Sequence, residues 1–379
     1  MSQVLETQII HCHECRLQVT VENLPACHKA HCPRCGHKLT EHRPNAQERI
    51  LVFAITALIF LGLSLPFEFI SFSAAGQTQT ITVPQSIIIL IQNQYWPLAL
   101  LQFLLILLLP LAIILAVMYL ILCKYWQFYP AHLKPMLSII YFLLPWSMAE
   151  IFLLGVLVSL IKIISMADVA LGFSFFAFMG FVVANTAMLL NIDKHQLHRW
   201  FDKKIEQQKH SSENHSKNTQ ATWALLITAA LLYVPANLWP IMQTSLLGNT
   251  EPSTIMGGVI LLWKTGSYPI AAVIFIASVV VPTAKLVILA WLNMSVQSAE
   301  LEKPRAKTFW YRMTELVGKW SMVDVFVVAI LVSLVQLGGT MAIYPGPAAL
   351  AFSGVVIATM LAAHSFNPVA IWAKPTQHD

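Results

Sequence analysis

Charged residues are scarce in this sequence, in which Asp, Glu, Lys and Arg together make up only 11% of the 379 residues. Hydrophobic residues make up 57%, and the mean hydropathy is +0.67. A soluble core needs far less apolar surface than this, whereas a lipid bilayer solvates such surface directly. The composition therefore excludes an ordinary soluble protein and predicts a polytopic membrane protein.

Several chemical signatures are also missing. Beyond the first 35 residues the only cysteine is Cys123, and no pair of histidines in an apolar run suggests a haem site. The sequence has no Gly-x4-Gly-Lys-Ser/Thr motif, so we expect energy to come from a gradient or a partner rather than from ATP bound here. No secretory signal precedes the first apolar run, because residues 1–49 are polar. These absences argue against a membrane enzyme.

The net charge of +5 reflects membrane topology rather than nucleic-acid binding, because the cations cluster in loops between apolar runs. Lys and Arg number six in residues 1–49, two in 124–135, six in 194–220 and five in 300–319, whereas the alternate loops hold almost none. Cytoplasmic loops carry the excess of Lys and Arg. We therefore expect both termini to face the cytoplasm and no nucleic-acid partner.

Eight apolar runs approach the ~20 residues that cross ~30 Å of hydrocarbon. They cover residues 50–70, 97–123, 141–164, 169–191, 222–243, 268–292, 320–341 and 346–366. Residues 300–319 form a charged loop between the sixth and seventh runs. The predicted fold is an all-α membrane protein with eight transmembrane helices.

The first 49 residues contain a metal-site motif. Two C-x2-C pairs are separated by sixteen residues, which is the spacing of a four-thiolate zinc ribbon, with ligands Cys12, Cys15, Cys32 and Cys35. Gly36 gives the second pair backbone freedom. Five other side chains are less well spaced substitutes: Cys27, His11, His28, His31 and His37. Disulfides are the alternative, which a reducing cytoplasmic location disfavours. Four closed thiolates leave no open position, so we predict structural Zn²⁺.

The chain contains an internal repeat. The run LPWSMAEIFLLGVLVSLIK from Leu144 aligns with GKWSMVDVFVVAILVSLVQ from Gly318. Upstream matches are Pro66 with Pro240, Thr80-Ile81 with Thr254-Ile255, Trp96-Pro97 with Tyr268-Pro269, and Pro110 with Pro282. Because each copy holds four helices, the copies are parallel rather than inverted. We predict a ribbon at 1–49, a first four-helix module at 50–193, a cytoplasmic linker at 194–220 and a second module at 221–379.

The first outward loop of each module is its longest. Residues 71–96 mix Thr, Ile and Val with Gly and Pro, which favours a short β-hairpin, and residues 244–267 behave similarly. The apolar stretch Ser86–Ile91 is too short to span a bilayer. We expect it to pack on the outer ends of the helices or against a partner.

Two ionisable residues lie inside apolar runs of the second module, where charge is expensive. Lys285 and Asp324 enter from the same side to comparable depth, so we expect them to form an ion pair. Pro282, which disrupts its helix, lies just before the lysine. The functional interpretation is a polar switch that couples protonation or a lipid headgroup to helix packing. The alternatives are a static pair, or a lysine that snorkels to the interface.

The first module lacks an equivalent pair. Glu150 occupies the position of Asp324, but Ile113 occupies that of Lys285. Lys162 stands where the second module has Gln336, near the predicted outer surface. Polar side chains for a path through the second module are Thr265, Ser267, Thr283, Ser321, Ser333 and Gln336. At helix interfaces such side chains also simply pack and hydrogen-bond.

Four segments carry a family resemblance: LLYVPANLWPIM (231–242), YPIAAVIFIASVVVPTAKL (268–286), GKWSMVDVFVVAILVSLVQLG (318–338) and YPGPAALAFSGVVIATMLAAHSFNP (344–368). With the cysteine ribbon, they resemble the paraquat-inducible protein A family over nearly the whole chain. The resemblance implies a bacterial inner-membrane partner of periplasmic MCE-domain proteins, which carry phospholipid between membranes. Members commonly have a second ribbon before the second module, but this sequence has no cysteine after Cys123.

Three function classes follow. The first is a lipid transport component that passes phospholipid to or from an MCE-domain partner, with Lys285 and Asp324 as the coupling pair. The second is a membrane anchor or assembly factor for that partner, with the zinc ribbon as a docking domain. The third, a redox enzyme, is disfavoured by the missing cysteines and histidines.

Overall fold

The computed structural model describes residues 8–21, 25, 28–41, 43, 45–74, 77–127, 133–163, 168–193, 215–246, 249–264, 266, 268–298, 303–335 and 341–372. Within these residues, eight helical runs are long and apolar enough to cross a membrane, which confirms the predicted number. They are Ala46–Ser64, Trp96–Tyr125, Pro135–Ile161, Phe173–Asn191, Thr219–Leu238, Ala271–Gln297, Pro304–Leu334 and Pro347–Ser365.

The amino-terminal segment forms two antiparallel hairpins. The first pairs β1 (Gln8–His11) with β2 (Gln18–Val21), and the second pairs β3 (Lys29–His31) with β4 (Lys38–Glu41). Each hairpin turns through one of the two C-x2-C pairs.

The first repeat contains seven helices and three strands in the described residues. They are α1 (Ala46–Ser64), β5 (Ile70–Ala74), β6 (Gln77–Ile81), α2 (Val83–Gln92), α3 (Trp96–Gln102), α4 (Leu109–Tyr125), α5 (Leu133–Leu143), α6 (Ala149–Ile163), β7 (Asp168–Leu171) and α7 (Phe173–Asn191). A π-helical segment, Phe103–Leu108, joins α3 to α4, and a 3₁₀ turn, Leu144–Trp146, follows α5.

The second repeat has the same order of elements. They are α8 (His215–Leu238), β8 (Met242–Leu246), β9 (Asn249–Ser253), α9 (Ile255–Lys264), α10 (Tyr268–Phe275), α11 (Val281–Gln297), α12 (Pro304–Gly318), α13 (Val323–Leu334), β10 (Met341–Pro345) and α14 (Pro347–Ser365). A π-helical segment, Ile276–Val280, joins α10 to α11. The 3₁₀ segments Lys319–Met322 and Pro368–Trp372 follow α12 and α14.

Two expectations about connecting segments need correction. The charged loop predicted at 300–319 is mostly the helix α12, because its residues are amphipathic at helical spacing. Its buried face holds Thr308, Tyr311 and Thr314, whereas Phe309 and Leu316 are exposed. The helix α8 also begins inside the predicted linker, of which residues 194–214 lie outside the described residues.

The predicted outer hairpins are confirmed, and each gains a third strand. β5 pairs antiparallel with β6 and with β7, and β8 pairs in the same way with β9 and β10. The apolar stretch Ser86–Ile91 lies in α2, which packs on the helices α3 and α13. The third strands follow α6 and α13, so each sheet ties the last two helices of its repeat to the first.

Hydrogen bonds correct the upstream alignment of the two repeats. Thr82 accepts a hydrogen bond from the backbone N–H of Gln85 as the cap of α2, and Thr254 accepts one from Gly257 as the cap of α9. The equivalent of Thr254 is therefore Thr82, not Thr80. In the same way, Pro240 corresponds to Glu68 rather than to Pro66. The carbonyl of Pro240 accepts a hydrogen bond from a backbone N–H at the start of α14, and the carbonyl of Glu68 accepts the equivalent bond from the start of α7.

The repeats meet through equivalent helices. α6 packs against α13, and the rings of Phe152 and Phe326, which align with each other, lie edge to face at 5.8 Å. Gly155 makes this close approach possible, since a Cβ there would lie 3.0 Å from the Cβ of Phe326. Within the repeats, α1 packs along α7 and α8 along α14. The core therefore lies at a pseudo-two-fold interface.

Candidate metal centre and buried polar site

The four cysteines lie in two knuckles with matching backbone hydrogen bonds. The N–H of Cys12 donates to the carbonyl of Leu17 at 2.9 Å, and the N–H of Cys32 donates to that of His37 at 2.8 Å. Gly36 has a left-handed φ of 73°, as its predicted role requires, and Arg16 adopts a similar φ of 54° in the first knuckle. These turns point both cysteines of each knuckle the same way.

The sulfur positions fit a single metal ion. The Sγ atoms of Cys12 and Cys35 are 3.5 Å apart, as are those of Cys15 and Cys32, and all four lie within 4.8 Å of one another. A tetrahedral site with Zn–S bonds of ~2.3 Å places its sulfurs about 3.8 Å apart. None of the described cysteines forms a disulfide. The four buried thiols can therefore hold a metal ion, as the spacing predicts.

The other predicted substitutes have different surroundings. The Nδ1 atom of His31 lies 3.2 Å from the carbonyl oxygen of Gly36, and that of His37 lies 2.9 Å from Glu14. Cys27 lies outside the described residues. Among the described residues, the group that can hold a metal consists of the four cysteines.

A buried carboxylate beside the metal site joins the ribbon to the second repeat. Glu14 accepts hydrogen bonds from Nε of Arg312 at 3.0 Å and from its Nη2, and Nη2 also donates to the carbonyl of Cys35 at 3.1 Å. Burial alone would raise the pKa of Glu14, but the bonds from His37 and Arg312 lower it to about 2. This pair was not predicted from the sequence. The position of Glu14 between two cysteines of a knuckle was the signal in the sequence that could have indicated a cationic partner.

Further contacts seat the second knuckle on α12. Nε of Arg305 donates to the carbonyl of Arg34 at 2.9 Å, and the guanidinium of Arg34 lies 4.7 Å from the ring centroid of Trp372. The indole N–H of Trp372 donates to Thr308 at 3.1 Å. An ion pair, a cation–π contact and apolar packing thus hold the ribbon against the second repeat.

The opposite edge of the ribbon contacts the first repeat. The hydroxyl of Thr40 and the backbone N–H of Glu41 donate to Asp193 at 3.1 and 2.8 Å, just after α7. Arg43 donates to the carbonyl of Leu190 at 2.6 Å. The hydrogen bonds and charges of Arg43 and Lys38 lower the pKa of Glu41 to about 2. The ribbon therefore bridges both repeats.

The second candidate site surrounds Lys285, which is only 3% exposed. Its Nζ has no hydrogen-bond partner among the described residues and lies 3.0 Å from the position that a Cβ on Gly318 would occupy. In the described structure, the ammonium group of Lys285 therefore does not form the predicted ion pair with Asp324. The lysine instead lies against the end of α12, whereas Asp324 is half-buried in the first turn of α13.

Other predicted residues gather on the same side of the membrane helices. Glu150 forms an ion pair with Lys319 of the second repeat at 3.8 Å, a partner that the sequence analysis did not foresee. Its Oε2 and the hydroxyl of Ser321 are buried and make no hydrogen bond within the described residues. Lys285 therefore lies beside Gly318, and Ser321 follows Gly318 by three residues in the 3₁₀ segment.

The remaining predicted residues either lie away from this cluster or have side chains outside the described part of the structure. Pro282 is buried and is the second residue after the π-helical segment Ile276–Val280. Lys162 belongs to the last turn of α6, but its side chain is outside the described part of the structure, as are Thr265, Ser267 and Gln336. Thr283 hydrogen-bonds to Tyr233 at 2.8 Å and so packs between α8 and α11.

Comparisons with known proteins agree with the fold. The family model described as paraquat-inducible protein A matches residues 47–202 and 219–375. The intermembrane transport protein PqiA of Escherichia coli K12 is 36% identical over 406 residues, covering 97% of this chain and 96% of the relative. No solved structure matches significantly.

Two more distant relatives cover almost the same length. A probable intermembrane transport protein of Haemophilus influenzae is 26% identical, over 96% of both chains. The lipophilic envelope-spanning tunnel protein A of E. coli K12 is 25% identical, over 95% of this chain and 90% of the relative.

Proposed function

Because this chain belongs to the paraquat-inducible protein A family, we propose that it is a component of an intermembrane lipid transport system. It lies in the bacterial inner membrane with both termini in the cytoplasm, and it passes phospholipid to or from a periplasmic MCE-domain partner. The names of its relatives, which describe intermembrane transport and an envelope-spanning tunnel, support this proposal.

The observation that carries the proposal is the buried ammonium group of Lys285, which has no hydrogen-bond partner among the residues that the structure describes. A buried polar group without a hydrogen bond costs about 1–3 kcal/mol, so a purely structural lysine would be a poor choice here. Charged residues inside membrane segments mark substrate or proton paths by default. We assign Lys285, Asp324, Glu150 and Ser321 to the coupling site, and Pro282 to the bend beside it.

Two further assignments complete the proposal. The metal is Zn²⁺, because four thiolates form its preferred closed structural site, and binding it would stabilise the ribbon fold. We also assign Lys162, at the opposite end of α6 from Glu150, to the transport and coupling residues. The division into a ribbon (1–49), two modules (50–193 and 221–379) and a linker (194–220) stays a prediction, apart from the start of α8 at His215 inside the linker.

The test is purification of the full chain from native membranes in mild detergent, followed by protein mass spectrometry and lipid extraction of the same sample. We expect a stoichiometric periplasmic MCE-domain protein and bound phospholipid. Partner without lipid would instead indicate a non-transporting anchor. A purified sample that contains neither the partner nor phospholipid would contradict both functions.

Substitution of the lysine tests the coupling role. Lys285→Met removes a buried charge but keeps the apolar stem, so we expect unchanged or higher thermal stability together with loss of lipid traffic and envelope integrity. Lys303→Met, at an exposed position just before α12, is the matched control. Normal lipid traffic in both Lys285→Met and Asp324→Asn would defeat the coupling role.

A further inference from the structure

Gly318 is a glycine at a position whose backbone does not require one. It is the last residue of α12, and its φ of −56° and ψ of −36° are helical values that any residue adopts. Glycine in a helix is destabilising relative to alanine, because it loses more conformational freedom on folding. The presence of glycine here therefore has another physical reason, which the neighbouring side chain supplies.

The space beside Gly318 is occupied by the end of the Lys285 side chain. A Cβ at residue 318 would lie 3.0 Å from the Nζ atom of Lys285 and 3.4 Å from its Cε atom. Non-bonded carbon atoms have their optimal separation at about 3.5–4.0 Å, so both distances are short. The ammonium group must therefore shift when any side chain is added at residue 318.

The lysine side chain can make this shift at little cost. Its Nζ atom is the end of a flexible four-carbon stem, and it has no hydrogen-bond partner within the described residues that would have to break. A substitution at residue 318 should therefore move the ammonium group rather than disrupt the packing of α12. The glycine thus determines the position of the charge more than the stability of the helix.

The first repeat has the opposite combination of side-chain sizes at the equivalent positions. Leu144 aligns with Gly318 in the shared motif, and Ile113 aligns with Lys285. Ile113 is 1% exposed, and Leu144 packs against the hydrophobic core. The longer side chain is at the first position in one repeat and at the second position in the other, as expected of two positions that share a space.

We propose that Gly318 is the positioning residue for Lys285. It leaves open the space into which the ammonium group extends, and it thereby sets where the charge lies at the junction of α12 and α13. The proposal rests on the proposed coupling role of Lys285, to which it adds a second residue. It also gives a physical reason for the asymmetry of the repeats, since the first repeat fills the equivalent position with leucine.

The first experiment is a double-mutant cycle on the melting temperature of the full chain in mild detergent, with Gly318→Ala, Lys285→Ile and the double variant. Lys285→Ile removes the Nζ and Cε atoms that the added Cβ would meet. In that background, Gly318→Ala should raise the melting temperature by about 2 °C, because alanine is the better helix former. With the lysine present, the same substitution should give no gain. Equal shifts in both backgrounds would show that the glycine acts without the lysine and would overturn the proposal.

The second experiment measures lipid traffic and envelope integrity for the same variants. Gly318→Ala should lower lipid traffic about tenfold although the chain folds and keeps its lysine, because the ammonium group is displaced. Gly258→Ala is the matched control, since it is another helical glycine of the second repeat and nothing lies within 4 Å of its added Cβ. It should keep the lipid traffic of the wild type. Equal lipid traffic in both glycine variants would contradict the positioning role.

A larger substitution provides a stronger form of the test. Gly318→Leu introduces the residue of the first repeat into the space of the ammonium group, so it should lower the melting temperature by about 5 °C and abolish lipid traffic. Combination with Lys285→Ile should restore the melting temperature but not lipid traffic, because the charge is absent. If Gly318→Leu does not fold, the cycle with Gly318→Ala still decides the question.

The outcomes separate this proposal from the proposed function. Normal lipid traffic in Gly318→Ala together with its loss in Lys285→Ile would overturn the positioning role while leaving the coupling role of the lysine intact. Normal lipid traffic in Lys285→Ile would overturn the coupling role, and the positioning role with it. Loss of lipid traffic in both variants, with melting temperatures that are not additive, would support both roles.

Discussion

Two equivalent glycines join the last helix of each repeat to its sheet. Gly172 precedes α7, and its N–H donates to the carbonyl of Phe69 at 3.1 Å, while Gly346 precedes α14 and donates to Ile241 at 2.8 Å. A Cβ at either position would lie 2.0 Å from a carbonyl oxygen, that of Glu68 or of Pro240. Only glycine allows this close approach between backbones.

We therefore expect Gly346→Ala and Gly172→Ala each to lower the free energy of unfolding by about 1–3 kcal/mol, because the backbone must shift. Thermal melting of the purified protein in detergent measures the change. Gly62→Ala is the control, since nothing lies within 4 Å of its added Cβ. Equal melting temperatures for all three variants would show that the sheet and helix can separate without cost.

Arg312 contacts both a buried carboxylate and a cysteine carbonyl of the metal site from the helix α12. Arg312→Met would leave the carboxylate of Glu14, which is 5% exposed, without its two hydrogen bonds from the guanidinium group. We expect a cost of about 1.5–3 kcal/mol to the docked ribbon and a several-fold faster transfer of metal to a chromogenic chelator. Arg305→Met, which removes bonds only to the carbonyls of Arg34 and Pro33, should have a smaller effect. Equal rates for both variants would contradict this ranking.

At the scale of elements, the two π-helical segments were not predictable from the sequence, although the prolines that follow them were visible. Each segment ends just before a proline, Pro110 or Pro282. Proline removes a hydrogen-bond donor and crowds the preceding turn, and a wider turn relieves both problems. A kink would relieve them as well, and the choice depends on packing against neighbouring helices.

We expect Pro282→Ala to raise helix stability by up to about 3 kcal/mol, because it restores the missing donor, and to reduce lipid traffic. Lys285 lies within one turn of this proline, so a straighter helix would move its ammonium group. Pro110→Ala is the matched control, since Ile113 occupies the position of the lysine in the first repeat. Melting temperatures and an envelope-integrity assay on both variants test this. Equal functional loss would place the effect in the helix bend and not in the lysine.

At the scale of the whole molecule, the sequence predicted the duplication but not its asymmetry. The motif shared by α6 and α13 identified both central helices and their mutual alignment. Leu157 and Leu331 are the same residue in the same motif, yet one is exposed and the other buried. Burial here depends on which neighbouring helices pack across the interface, and local residue patterns do not contain that information. The surroundings of Lys285 were not predicted for the same reason.

The clustering of the four ribbon cysteines, by contrast, was predicted correctly, because four cysteines and two tight turns form a local structure. The place of the ribbon in the molecule was not predicted, since the contacts with Arg312 and Asp193 join residues far apart in the chain. These contacts make the ribbon the connection between the repeats on the side opposite the sheets. Metal binding should therefore stabilise more than the ribbon itself.

Removal of the metal tests this connection. Because a domain with a four-thiolate metal site typically folds on binding its metal, we expect a strong chelator to lower the melting temperature and to increase hydrogen exchange in two separate regions, the amino-terminal part of α12 and the end of α7 near Asp193. The paired helices α8 and α14 should stay protected, since they pack on each other without the ribbon. A variant with all four cysteines changed to serine should show the faster exchange without chelator and no further response to it. Faster exchange confined to the ribbon would mean that its docking does not hold the repeats together.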